Sequence, residues 1–375
     1  MAITVIQPNS LCFAGNPIIV KATTDKYLSE DESMLRVILE ATFTEKYEGG
    51  EARDAYSFST ELSQPVENGG TAVFNLSDAS RTILQRLVSE MNMNGVWYKS
   101  VGLHCEFSCR DVWVKDGYEQ FGDSSGVFSF EVIPGFFTDY EMLTRSSTDL
   151  HDVMPVMLSR MPSDGRILYK GEELIIPTLV GEESAADGKV EVSGEYFDFS
   201  GALMKAGEVN YQRGVVSSEE DGVFTFSSTY TDSVSGYYRA SAEGVHFLRF
   251  INGFGAVENI SVRSRDKLSY GISGENHSLV QGISVRPTDR RYSVKSQPVG
   301  VYELSSGYVP KRWAEWYIQE LLVSPRVWIL LEGKWVPALI EASDECVIYD
   351  RSNPEMPHVD FTLRLAIDGV TGCVW

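Results

Sequence analysis

The chain has few groups suited to redox, metal or nucleophilic chemistry. Its 375 residues include only five cysteines, Cys12, Cys105, Cys109, Cys346 and Cys373. So odd and sparse a set is no disulfide framework for a chain of this size. Cys105 and Cys109 lie in GLHCEFSCRD, where Leu103, Cys105, Phe107 and Cys109 alternate with His104, Glu106, Ser108 and Arg110. Four strand steps would hold the two sulfurs about 13 Å apart, and a bridge needs Cα atoms within about 7 Å. Both read as small core residues of a reducing compartment. The five histidines, His104, His151, His246, His277 and His358, include no pair at metal-ligand spacing, and no Cys-x-x-Cys exists. There is no Gly-x-Ser-x-Gly elbow, and GISG, residues 271–274, is too short to serve as one.

Positive charge is also scarce. Lys and Arg number 32 against 53 Asp and Glu, giving a net charge of −21. Such a surface repels phosphate backbones, so nucleic-acid binding is not expected as a main role. The acidic runs SEDES (29–33) and SSEEDG (217–222) lack the alternating Asp/Asn ladder closed by Glu that a calcium loop needs, and they fit loop tips. No window of about 18 apolar residues occurs, so no membrane span is expected. The first residues, MAITVIQPNS, lack the basic region and apolar run of a secretory signal. No cofactor, metal site or catalytic residue is therefore expected. The 53 carboxylates offer no way to choose a pair for glycoside hydrolysis.

Aromatic residues and alternation are plentiful. Tyr and Phe stand at 18 each and Gly at 32, which favours strands and turns over helices. Segments 16–24, 33–43, 71–78, 97–114 and 126–133 read as strands of an antiparallel sandwich. One amphipathic helix interrupts them at about 78–92, with Ser77 or Asp78 as cap and Ile83, Leu84, Leu87, Val88 and Met91 as its stripe. Pro134–Gly135 punctuates the chain and marks a domain boundary. Short strand patterns spaced by Gly and Asp then run through 167–180, 188–199, 206–216, 222–230 and 237–251, as in a second sandwich. The expected domains are 1–134, 135–262 and 263–375. The last is a β-rich region, either a third domain or part of the second. The fold class is mainly β, with two or three antiparallel sandwich-like domains and one or two short helices.

Gly253–Phe254–Gly255 follows a strand, but a dinucleotide fingerprint would need Gly at 258, where the chain has Glu258. A tight connection is the simpler reading. The stretch 312–343 holds four of the seven tryptophans. Trp313, Trp316, Tyr317, Glu320 and Leu321 share one face of a helix at about 312–323, stopped by Ser324–Pro325. Residues 327–341 form a hairpin with Glu332–Gly333–Lys334 at its tip. Trp313, Trp316, Tyr317, Trp328 and Trp335 thus form either a domain core or a subunit interface, where aromatics are enriched.

Three stretches read together carry a resemblance: PNSLCFAGNPIIVKATT (8–24), HFLRFINGFGAVENISV (246–262) and WYIQELLVSPRVWILLEGKWVPALIE (316–341) with the closing VDFTLRLAIDG (359–369). Their order resembles tail-associated structural proteins of phages and prophages of gut bacteria. That resemblance implies a non-enzymatic virion part, made in the bacterial cytoplasm without a signal peptide. It would assemble as a ring or other homo-oligomer and dock to other tail proteins. A carbohydrate- or receptor-binding module of a cell-surface or virion adhesion system is the alternative.

Overall fold

The computed structural model of the chain describes residues 3–47, 56–89, 101–144, 150–199, 203–278, 291–341 and 357–366. The architecture is mainly β, with antiparallel sandwich-like sheets and a few short helices.

The first unit packs the three-stranded sheet Thr4–Ile6, Ile19–Thr23 and Thr71–Asn75 against a larger sheet built on the long strands Glu32–Tyr47 and Val101–Lys115. Alternation sends Val37, Leu39, Ala41 and Phe43 inward, opposite Leu103, Cys105, Phe107 and Cys109. Both cysteines are free and fully buried, and burial pushes their thiols up to about 12. The helix Ser77–Ser89 buries Ile83 and Leu84 in the same core. Its first turn is held from outside: Asn75 Oδ1 accepts the Ser77 and Ile18 N–H groups, the work expected of Ser77 or Asp78. Met91, the last residue of the expected stripe, lies outside the described residues.

The second unit sets the five strands Arg166–Tyr169, Thr231–Arg239, Gly222–Ser228, Lys189–Val192 and Glu195–Asp198 against a sheet containing Glu173–Leu179 and Val209–Val215. Each sandwich also includes a short parallel strand pair. Leu11–Phe13 runs beside Phe128–Ile133, and Arg166–Tyr169 runs beside Thr231–Arg239. Strand Glu173–Leu179 is buried on both faces. Leu174 and Ile176 join the sandwich core, while Ile175 meets Ile251, Val257 and Trp328 on the other side. The run LIIPTLV, apolar apart from Thr178, fits a strand covered on both faces.

The third unit is a closed barrel of the strands Val245–Ile251, Val257–Ser278, Arg291–Ser305, Asp360–Leu365, Lys334–Glu341 and Val327–Leu331, in that order around the wall. Closure comes from Leu248, Arg249 and Phe250 pairing with Ile329, Trp328 and Val327. Residues from Val257 to Ser278 form one continuous strand. The strand Val245–Ile251, grouped by its sequence spacing with residues 135–262, is hydrogen-bonded into the barrel. Spacing along the chain reports that strands exist, but their partners are set by distant pairing. The expected hairpin forms, with Leu331 opposite Lys334 and a two-residue turn in which Glu332 and Gly333 both take positive φ.

The first unit meets the barrel where two glycine turns cross back to back. Gly135 has φ +106° and lies against the Phe254 backbone, while Gly255 has φ +71° and lies against Pro134. Gly135→Ala would add a Cβ in a disfavoured φ and drive it into the Phe254 carbonyl. The substitution should cost roughly 3 kcal/mol or more, read as a lower urea midpoint at an unchanged m-value.

Candidate functional site

The three sequence stretches singled out above converge on one place. Asn16, from CFAGNP, closes a two-way amide bond with Phe137: its Oδ1 accepts the Phe137 N–H at 2.7 Å and its Nδ2 donates to the Phe137 carbonyl at 2.9 Å. Phe136 N–H donates to the Gly253 carbonyl at 3.1 Å. Asn252, from FINGFG, shapes its own turn, with Oδ1 accepting the N–H groups of Phe254 and Ala256 at 2.9 and 3.0 Å. Its Nδ2 reaches the Leu158 carbonyl and Glu258 Oε1, both at 2.7 Å. Glu320, from YIQELL, accepts the Gly253 N–H through Oε2 at 2.6 Å.

Arg160 ties these pieces together. Its Nη1 donates to Glu320 Oε1 at 2.8 Å, its Nη2 to Glu141 Oε2 at 2.8 Å and to the Phe136 carbonyl at 2.7 Å. The guanidinium also lies 4.2 Å from the centre of the Phe254 ring. Desolvation alone would raise the Glu141 pKa, but the Arg160 pair and the Thr138 N–H hold it below its ordinary value. Glu320 lies in the π turn Tyr317–Leu321 into which the helix Lys311–Trp316 widens.

Glu258 lies deeper, 3% exposed, with the Asn252 amide on one oxygen. Burial pushes its pKa up to about 7, and the nearby negative charge of Glu320 adds to the rise. A second buried network joins the sandwich to the barrel wall. Arg166 donates to Glu172 Oε1 and to the Asn259 carbonyl, each at 3.0 Å, and Ser261 Oγ donates to Glu172 Oε2 at 2.5 Å.

The five aromatic candidates divide between two places. Trp313, Trp316 and Tyr317 are buried in the core that continues into the barrel, with Trp316 edge-on to Phe250 and Trp313 Nε1 donating to the Asp164 carbonyl at 2.7 Å. Trp328 is buried and Trp335 half-buried between barrel and second sandwich, where Arg249 lies over the Trp335 ring. Sequence reasoning placed Glu320 on the aromatic face without giving it a role, and it missed Arg160, Asn252 and Glu258. A charge within an apolar run was the available signal at 258 and 320, whereas nothing local marks Arg160.

Above this junction opens a cleft of about 650 Å³ between the first unit and the barrel. Its walls include Ala14, Leu84, Pro134, Phe136, Ile251 and Val323, with Arg81 and Arg326 among its polar residues. Among the described residues, no group of three or more His, Cys, Asp or Glu side chains is arranged to hold a metal ion. No helix among them is long and apolar enough to cross a membrane.

A scan against protein-family models finds no match, and a search of curated proteins finds none. Among solved structures, the chain is similar to trypsin-activated alpha-2-macroglobulin from Escherichia coli, at 10% identity and a TM-score of 0.23, over 96% of this chain and 21% of that one. It is also similar to a bacterial ice-binding adhesin described in a study of host cell-surface retention. There the identity is 9% and the TM-score 0.16, over 73% of this chain and 93% of that one. The chain spans about a fifth of the macroglobulin's length. Scores this low carry no argument about function.

Glu258 sets a pH dependence of defined sign. Its folded pKa of about 7 exceeds the ordinary 4.5, so between those values the folded state holds more protons than the unfolded chain. Stability from this group is full below about pH 4.5, falls as pH rises, and is lost above about pH 7, a change on the order of 3 kcal/mol. His246, lowered by burial, pulls the opposite way at mildly acidic pH. The difference between Glu258→Gln and the parent isolates the carboxyl: urea titrations should show the variant gaining relative stability from pH 5 to pH 8.

Proposed function

We propose that this chain is a non-enzymatic structural protein of a phage or prophage tail, assembled through interfaces with copies of itself and with other tail proteins. The observation that carries the reading is the junction. The three stretches that resemble tail-associated proteins meet there, and they serve to fix one β unit against another. Units within a chain ordinarily move relative to one another unless their interface is large and apolar. Here shared apolar clusters bridge the units, and the aromatic stretch 312–341 is spent largely on internal packing. A body with fixed internal geometry suits a part that must repeat with constant spacing in an assembly.

Deleting the gene from the genome that encodes it should leave lysates whose tails are absent or truncated in negative stain, and a copy in trans should restore them. Normal tails in the deletion would overturn the reading. One observation favours a sugar- or receptor-binding module instead: Tyr196 and Tyr237 stand 67% and 58% exposed on the five-stranded sheet. Saturable glycan binding that disappears in Tyr237→Ser would support that second reading.

A further inference from the structure

The junction cleft has a largely apolar lining with Arg81 at its edge. Phe136 and Val323 on its walls are 40% and 68% exposed. Arg81 projects from the helix Ser77–Ser89, with Asp78 4.0 Å away and the Gly15 carbonyl 3.5 Å from its Nη2, while Arg326 on the barrel side lies near the Trp328 ring. In a chain of net charge −21, an exposed arginine at the rim of an apolar cleft suits an occupant that is both acidic and apolar.

The far end of the first unit presents such a feature. Its register pairs Glu32 with Lys115 at one end of the long strands, and Thr44 with His104 and then Glu131 toward the other. The loop before Glu32 therefore stands some twelve residues, roughly 40 Å, from the strand end that leads into Gly135. It cannot reach the cleft of its own molecule. The loop is acidic, since Asp25, Glu30, Asp31 and Glu32 outnumber Lys26 and Lys115. It is flanked by two strongly exposed apolar residues, Tyr27 at 70% and Met34 at 77%. Met34 is held outward by φ 55° and a break in strand register between Ser33 and Arg36.

The loop is also built in advance. Ser29 N–H donates to Glu32 Oε2 at 3.0 Å, Ser29 Oγ to Asp31 Oδ1 at 2.6 Å, Lys26 pairs with Glu32 at 2.8 Å, and Lys115 pairs with Asp31 at 2.8 Å. A loop fixed this way loses little entropy on docking. Its Glu30 is exposed and lies outside these bonds, at the tip.

We propose that the cleft of one copy receives the Tyr27–Met34 loop of a second copy, with Glu30 facing Arg81 and the two apolar residues entering beside Phe136 and Val323. Donor and acceptor surfaces lie at opposite ends of the first unit. The contact is therefore heterologous, and copies add head to tail until a ring closes or a filament grows. This deepens the assembly reading and rests on it, naming one interface of the tail part.

The experiment is sedimentation velocity over a concentration series near 0.15 M salt, where self-repulsion of the acidic chain is screened. The parent chain should self-associate. Glu30→Arg and Arg81→Glu should each weaken association about tenfold. Both side chains are exposed, and matching thermal melts will show that the variants fold. The double variant Glu30→Arg/Arg81→Glu should recover association to within a few-fold of the parent. A parent that stays monomeric, single variants that associate normally, or a double variant without recovery would each overturn the proposal. A monomeric chain that still restores tails in the deletion strain would overturn this interface and leave the assembly reading standing. Failure to restore tails by an otherwise associating chain would do the reverse.

Discussion

One guanidinium holds the junction together. Arg160 bonds Glu141, Glu320 and the Phe136 carbonyl, which belong to the connection out of the first unit and to the helix that closes the barrel core. Glu320 is 3% exposed, and a carboxylate so placed is tolerable only with a charged partner and further hydrogen bonds. It has both, from Arg160 and from the Gly253 N–H. The arrangement is conditional in both directions: the cation needs the units docked to find its acids, and the docked units need the cation to bury them.

Backbone shape makes that docking close enough. Gly135 and Gly255 let two turns touch where side chains would hold them apart. Around this contact the Phe13, Phe137 and Phe254 rings meet, Phe137 edge-on to both others, and Leu179 and Val209 from the second sandwich enter the same cluster. All three units thus share one apolar patch beside the Arg160 ions. At the second contact, between sandwich and barrel wall, the Arg166–Glu172 pair lies within the sandwich and reaches across to the Asn259 carbonyl and Ser261 Oγ. Polar groups buried at both contacts fix direction, because each has few partners it can satisfy, while the apolar area supplies most of the attraction.

The central strand Glu173–Leu179 explains why the barrel is no free module. One of its faces completes the second sandwich, and the other is covered by Ile251, Val257 and Trp328. Removing the barrel would expose that second face to water. The tryptophan-rich stretch is therefore an internal fastening, with Trp313 and Trp316 closing the core and Trp328 sealing the wall.

Several features were legible in the residues. Period-two alternation in GLHCEFSC fixed which side chains face inward, because neighbouring side chains on a strand point to opposite faces. Three- and four-residue spacing identified the helix face of Trp313, Trp316, Tyr317 and Glu320, and Glu332–Gly333–Lys334 marked the hairpin tip, of which Lys334 turns out to be paired with Leu331. Local dihedral preferences and side-chain periodicity act within a few residues, so the sequence by itself determined these. Only the tertiary structure decided that residues 248–250 would close a barrel on 327–329 and that Arg160 would meet Glu320 across 160 positions. It likewise turned Glu258 from a residue in a strand pattern into a buried acid. Long-range pairing depends on which apolar surfaces exclude water together, and that choice is made by the whole chain at once.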